Sequence, residues 1–193
     1  MMHGGNFFPA WLERTDQQLF ILINRKLCAS WADPVMHLAS HHWFWIPVYG
    51  WLVYRFIRHY SRNAWLPVLL TITAFALSDS ISARIIKPGF QRERPFLRAE
   101  LAARLPDGPA GSKYGFVSSH AANVFAIYTL SILLLGYRRG KAAVLLGIAG
   151  LVAYSRVYLG VHYPMDVICG GLFGAGIALG MFIGFRRYLK PLP

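Results

Sequence analysis

The apolar residues of this chain are gathered into runs of about twenty, the length a helix needs to cross the hydrocarbon core of a bilayer. The runs fall at 38–57, 65–86, 117–136, 142–161 and 164–185. Lipid offers no partner to a bare N–H or C=O, so a spanning segment must close its hydrogen bonds internally as a helix. The pattern therefore predicts an all-α fold, a polytopic membrane helix bundle with five transmembrane spans. His41 and His42 interrupt the first run. The first residues lack a basic stretch leading into an apolar run and a small-residue cleavage site, so no cleavable signal is expected.

Residues 10–34 hold only a short apolar stretch, 19–23, flanked by Glu13, Arg14, Asp16, Arg25 and Lys26. This is too short to span and predicts an amphipathic helix lying in the interface. A sixth span over 20–36 is the alternative, and it would bury Arg25, Lys26 and Asp33 against the preference of lipid. The expected division is an N-terminal interfacial segment, 1–37, and a membrane bundle, 38–193. An outward loop, 88–116, carries Pro95, Pro106, Gly108, Pro109 and Gly111, with room for one short helix over 96–104. The other connections are a few residues long, which makes neighbouring spans antiparallel. Gly170, Gly171, Gly174, Gly176, Gly180 and Gly184 suit close helix packing by the last span.

A formal net charge of +12 raises nucleic acid as a partner, but the positions of the charges exclude it. Arg55, Arg58 and Arg62 cluster at the end of the first run. Arg138, Arg139 and Lys141 follow the third, and Arg186, Arg187 and Lys190 the fifth. All eight acids lie elsewhere. The positive-inside rule then puts these three connections and the C-terminus in the cytoplasm of a bacterial-type inner membrane. The segments after the second and fourth runs face outward.

Those outward segments carry the chemistry. His162 precedes Pro164, a residue favoured at the first position of a helix, so His162 is expected just ahead of a helix N-terminus. Backbone N–H groups and the positive dipole end favour an anion there. Asp166, four residues on, can reach the imidazole and fix its tautomer, leaving the other nitrogen free to attack phosphorus. Taken alone, the pair reads equally well as a wet interfacial histidine beside a dipole partner. Ser118 and Ser119 suit helix N-caps, while His120 at the mouth of an apolar helix suits an acid for a departing oxygen. Arg156 stands six residues from the end of the fourth run, roughly 9 Å deep if the helix continues to Val161. Lys87 and Arg94 close the second run and open the loop. Three converging cations can neutralise a phosphoryl group. Cys28 and Cys169 lack metal-ligand spacing, and no metal or other cofactor is expected.

The order Lys87-x6-Arg94-Pro95, then Ser118 and His120, then Ser155-Arg156-x5-His162-x3-Asp166 resembles the signature of the type-2 phosphatidic acid phosphatase superfamily. The middle motif departs from it at Val117 and Ser119, which stand for proline and glycine. The resemblance implies His162 as nucleophile, Asp166 as its orienting partner and His120 as acid and then base. It implies Lys87, Arg94, Arg156, Ser118 and the Ser119 backbone as phosphate holders, without metal. The compact chain resembles the small undecaprenyl-diphosphate phosphatases of that family. Phosphatidylglycerophosphate, phosphatidic acid and lipid A phosphates compete as substrates, and transfer to another lipid uses the same residues. A non-catalytic binder of anionic lipid would not need the His120–His162–Asp166 set. Asp79, Arg84, Arg92 and Arg98 are read as structural or solvated groups.

Overall fold

The computed structural model describes residues 8–106, 108 and 111–189. Lys190 lies outside the described residues. The helices are α1 (Ala10–Ile21), α2 (Asp33–Ser40), α3 (Ile46–Tyr60), α4 (Trp65–Ile81), α5 (Lys87–Phe90), α6 (Ser119–Leu134), α7 (Arg139–Tyr158) and α8 (Pro164–Phe185). The fold is all-helical, and the only β pairing among the described residues is an isolated bridge between Glu93 and Tyr114.

Three helical stretches are long and apolar enough to cross a membrane: His42–Phe90, Arg139–Tyr158 and Pro164–Tyr188. The first reverses at Ser61, whose φ of 50° breaks the α-helical path, and so supplies both α3 and α4. Helices α3, α4, α6, α7 and α8 thus stand where the five apolar runs lie. Two are short, α3 with 15 residues and α6 with 16. The first run does not begin a helix at 38: His41 is extended, Trp45 caps Ala39 through its indole N–H at 2.8 Å, and α3 starts only at Ile46.

Pairings along the helices fix their directions. Asp79 and Ser82 of the second apolar segment meet Asn123 and Ser119 of α6, so α4 and α6 are antiparallel. Tyr60, at the end of α3, donates to Leu134 O near the end of α6. Helix α8 runs parallel to α6 and packs closest to it. A Cβ on Gly174 would lie 2.0 Å from Ala122 O, and one on Gly170 2.6 Å from Ser118 O. Gly176, Gly180 and Gly184 have nothing within 4 Å of such an atom. Close packing therefore uses the first half of the glycine series. The end of α4, the start of α6, the end of α7 and the start of α8 all meet on one face.

Helix α1 leaves Arg14 exposed but turns its two acids inward. Phe20 is buried with Tyr163 and Val167, and Glu13 and Asp16 are buried with it. At its end Asn24 is fully buried, donating to Tyr158 O at 2.7 Å and Arg104 O at 2.9 Å. The expected helix over 96–104 is instead two short 3-10 turns, Pro95–Leu97 and Ala99–Leu101. Arg98 between them is extended, and Ala102 adopts a left-handed φ of 43°, so no continuous ladder forms.

Candidate active site

His162 and Asp166 sit at the start of α8. Helix α7 ends at Tyr158 because Gly160, with φ 81°, turns the chain back; the N–H groups of Val161 and His162 then close on Arg156 O. Arg156 therefore stands in the last turn of α7, since the helix stops before Val161. Its guanidinium donates to Ser40 Oγ, while its Nε is buried without a protein partner.

The imidazole of His162 lies between an acid and a base. Nδ1 is 3.3 Å from Asp166 Oδ2, and Nε2 is 3.1 Å from Arg94 Nη1. The carboxylate orients Nδ1–H toward itself and leaves the Nε2 lone pair facing Arg94. Arg94 is fixed by donating to Ser112 O at 2.6 Å and Val161 O at 2.9 Å. Burial first, then the charges of Arg94, Arg156 and Lys87, hold His162 well below the ordinary histidine range. It is therefore neutral at pH 7, the state in which a histidine can attack. Gly115 packs tightly against the pair, since a Cβ there would stand 3.0 Å from Asp166 Oδ2 and 3.2 Å from Arg94 Cγ.

Lys87, at the end of the second apolar segment, donates to Ser119 Oγ at 2.7 Å. Ser119 also meets Ser82 at 2.8 Å. Ser118 holds the N-cap position of α6, but its hydroxyl makes no cap and has no protein partner; its N–H donates to Asp166 O at 2.9 Å. Ser118 is fully buried, and it is Ser119 and His120 that reach the cavity. That cavity, about 820 Å³, joins Lys87, Arg94, His120, Arg156 and His162. It continues along Tyr49, Val53 and Phe56 of α3 and Val68, Ile72 and Phe75 of α4. One end is cationic and the other apolar, the two requirements of a lipid bearing a phosphate.

Two groups set aside from the sequence take part. Asp79 accepts from Asn123 Nδ2 at 2.9 Å, one turn deeper than Ser119, on the cavity wall. Arg92 is not solvated in the loop but 7% exposed, with Glu13, Asp16 and Asp166 around it. The signal available was the spacing of Glu13 and Asp16, which three residues apart share one helix face. Arg84 stays exposed. Among the described residues no group of three His, Cys, Asp or Glu side chains is placed to hold a metal.

A helix bundle with apolar outer faces and a buried imidazole–carboxylate pair opposite three cations defines a class of membrane protein built around a phosphoryl group. Residues 64–189 match the profile of the PAP2 superfamily, and the chain belongs to that superfamily. It is 28% identical over 185 residues to a lipid A 4'-phosphatase of Porphyromonas gingivalis, covering 92% of this chain and 73% of that one. It is 30% identical to an undecaprenyl-diphosphatase of Sulfolobus acidocaldarius, covering 83% and 74%. Among solved structures, Aquifex aeolicus LpxE superposes with a TM-score of 0.60 at 27% identity, covering 86% of this chain and 93% of that one. A PAP2-type phosphatidylglycerolphosphate phosphatase of Bacillus subtilis superposes with a TM-score of 0.69, covering 94% and 89%; at 22% identity it speaks for the fold alone.

Proposed function

We propose that the chain is a metal-independent lipid phosphatase working through a phosphohistidine. The observation that carries this reading is the neutral, buried His162, held at Nδ1 by Asp166 and facing Arg94 with Nε2. In the first step Nε2 attacks phosphorus, the bond from phosphorus to the leaving oxygen breaks, and His120 gives that oxygen its proton. In the second, His120 takes a proton from water, the water oxygen attacks phosphorus, and the P–N bond breaks to release inorganic phosphate. Lys87, Arg94 and Arg156 bear the charge on the equatorial oxygens. A phosphoryl oxygen would replace Nε2 as the partner of Arg94. Ser119, which lines the cavity, and the first N–H groups of α6 complete the cradle.

The lipid tail lies in the apolar slot between α3 and α4. Undecaprenyl diphosphate, yielding the monophosphate carrier, is the first substrate reading and is supported by the Sulfolobus relative. A phosphorylated glycolipid of the lipid A kind is the second. It is supported by relatives that match along most of the chain and by Asp79 beside Asn123. A carboxylate one turn below the phosphate site accepts hydrogen bonds from sugar hydroxyls and repels a second phosphate.

Phosphate release from a panel of lipid phosphates, with and without chelator, tests these readings. Release should persist in excess chelator, and its loss with rescue by one divalent ion would overturn metal independence. Asp79→Asn should raise the rate on the diphosphate relative to the glycolipid phosphate; an unchanged ratio removes Asp79 as a selector. His120→Ala should cost more on an alkyl monophosphate than on an activated aryl phosphate, and equal losses would leave His120 a substrate-positioning role only.

The charge distribution further supports five spans, a cytoplasmic C-terminus and a catalytic mouth facing outward. Lys113 and Arg138 are exposed residues near the two ends of the bundle. In a background without Cys28 and Cys169, a membrane-impermeant thiol reagent on intact cells should label Lys113→Cys and spare Arg138→Cys. The reverse pattern would put the mouth in the cytoplasm.

A further inference from the structure

We propose that Arg92, clamped by Glu13 and Asp16 of α1, is a positioning residue for the His162–Asp166 pair, which makes the N-terminal helix a working part of the catalytic centre. The inference rests on the phosphohistidine reading above. Arg92 falls between the Lys87 and Arg94 of the signature and is not one of its residues, and α1 lies wholly outside residues 64–189.

One guanidinium bridges the two. Its Nη1 donates to Asp166 Oδ1 at 2.7 Å. Its Nη2 donates to Asp16 Oδ2 at 2.7 Å and Glu13 Oε2 at 3.0 Å. Its face lies over the Tyr163 ring, 4.1 Å from the centroid. The other oxygen of Asp166 is the one that meets His162 Nδ1, and it also accepts the N–H of Tyr163 at 3.0 Å. With one oxygen held by Arg92 and the other by Tyr163, the carboxylate cannot rotate away from the imidazole without breaking a charge-assisted bond. Asp16 adds a second hold: its Oδ1 accepts the N–H of Met165 at 2.9 Å, in the same first turn of α8 that carries Asp166.

The burial of this network needs a purpose or a partner for every charge. Arg92 is 7% exposed, Glu13 7%, Asp16 1% and Asp166 0%, and Arg98 adds a contact to Glu13 at 3.4 Å. Buried ion pairs are weak contributors to stability against an apolar replacement, because desolvation offsets their attraction. A network that costs this much and ends on the residue orienting the nucleophile fits a role in holding geometry. A lysine has one ammonium and no planar fork, so it cannot hold Asp166 and the α1 acids together.

The test uses the full-length protein in detergent or lipid. Arg92→Gln should lower kcat on the order of 100-fold, the cost of about 1 Å of misplacement, with KM unchanged. Asp16→Asn should give a smaller loss of the same kind, and Arg92→Lys should recover only part of the rate. The groups facing His162 are Asp166, Arg94, Arg156, Lys87 and His120. Removing Arg92 strips the cation from beside the Asp166 carboxylate, so the acid limb of the rate profile should move upward. In an Asp166→Asn background, Arg92→Gln should cost little more, since its effect runs through Asp166. Thermal unfolding of each variant separates lost geometry from lost fold. Additive losses in the double variant, or an Arg92→Gln protein with the wild-type rate and acid limb, would overturn the proposal. A failure of the phosphatase reading itself would show in the wild-type protein, before any variant is compared.

Discussion

His162→Ala should release no measurable phosphate, a loss on the order of 10⁴-fold or more, as when a covalent nucleophile is removed. Its hydrogen-bonded neighbours cannot replace it. Arg94 faces Nε2 and is a cation, and Asp166 is fully buried behind Nδ1 and engaged by Arg92 and Tyr163. Asp166→Asn should be milder. An amide keeps the shape and one acceptor oxygen, but it loses the charge that stabilises the imidazolium formed on phosphorylation. The sign of the pH dependence follows from the depressed pKa of His162. Neutral imidazole is the competent form, so activity is retained below the ordinary histidine range and falls as pH drops through the folded-state value. A folded His162→Ala protein turning over at full rate would end the mechanism.

The largest effect on the fold is expected at Gly174. A Cβ there would stand 2.0 Å from Ala122 O, 2.8 Å from its carbonyl carbon and 3.0 Å from Ala126 N. All three are backbone atoms of α6, so no side chain can swing aside and α8 must move bodily. Gly174→Ala should destabilise by about 3 kcal/mol, the upper end for overpacking a filled interior. Gly176→Ala, two residues on, meets nothing within 4 Å and relieves the flexibility of a helical glycine. It should therefore keep or raise stability. Thermal unfolding of the two purified variants, compared with wild type, reads the contrast directly. Equal behaviour would show that the α6–α8 contact is not as close as described.

The glycine pair also shows where sequence reasoning runs out. Six glycines in the last apolar run point to close packing, but only a partner helix distinguishes Gly174 from Gly176. The start of α8 was legible, because Pro164 suits the first position of a helix and the helix does begin there. The end of α7 was not. It depends on the left-handed turn at Gly160, and that turn leaves Arg156 in the last turn of α7 instead of well inside a helix continuing to Val161. The residues brought around His162 were legible from their spacing at the ends of apolar runs, where ionisable groups are costly. Arg92 was not, since its partners Glu13 and Asp16 are separated from it by most of the chain's first half. A short charged helix does not show from its own sequence which of its acids a buried cation will draw inward.

The central claim is a covalent bond from phosphorus to Nε2 of His162. Its most direct test is a rapid alkaline quench of enzyme turning over a lipid labelled in the phosphate, followed by digestion and mass spectrometry. Phosphohistidine survives alkali and is lost in acid. The account predicts a phosphate on the peptide containing His162, present in wild type and absent from His162→Ala. Steady phosphate release with no phosphate ever found on His162, or a label on another residue, would contradict it.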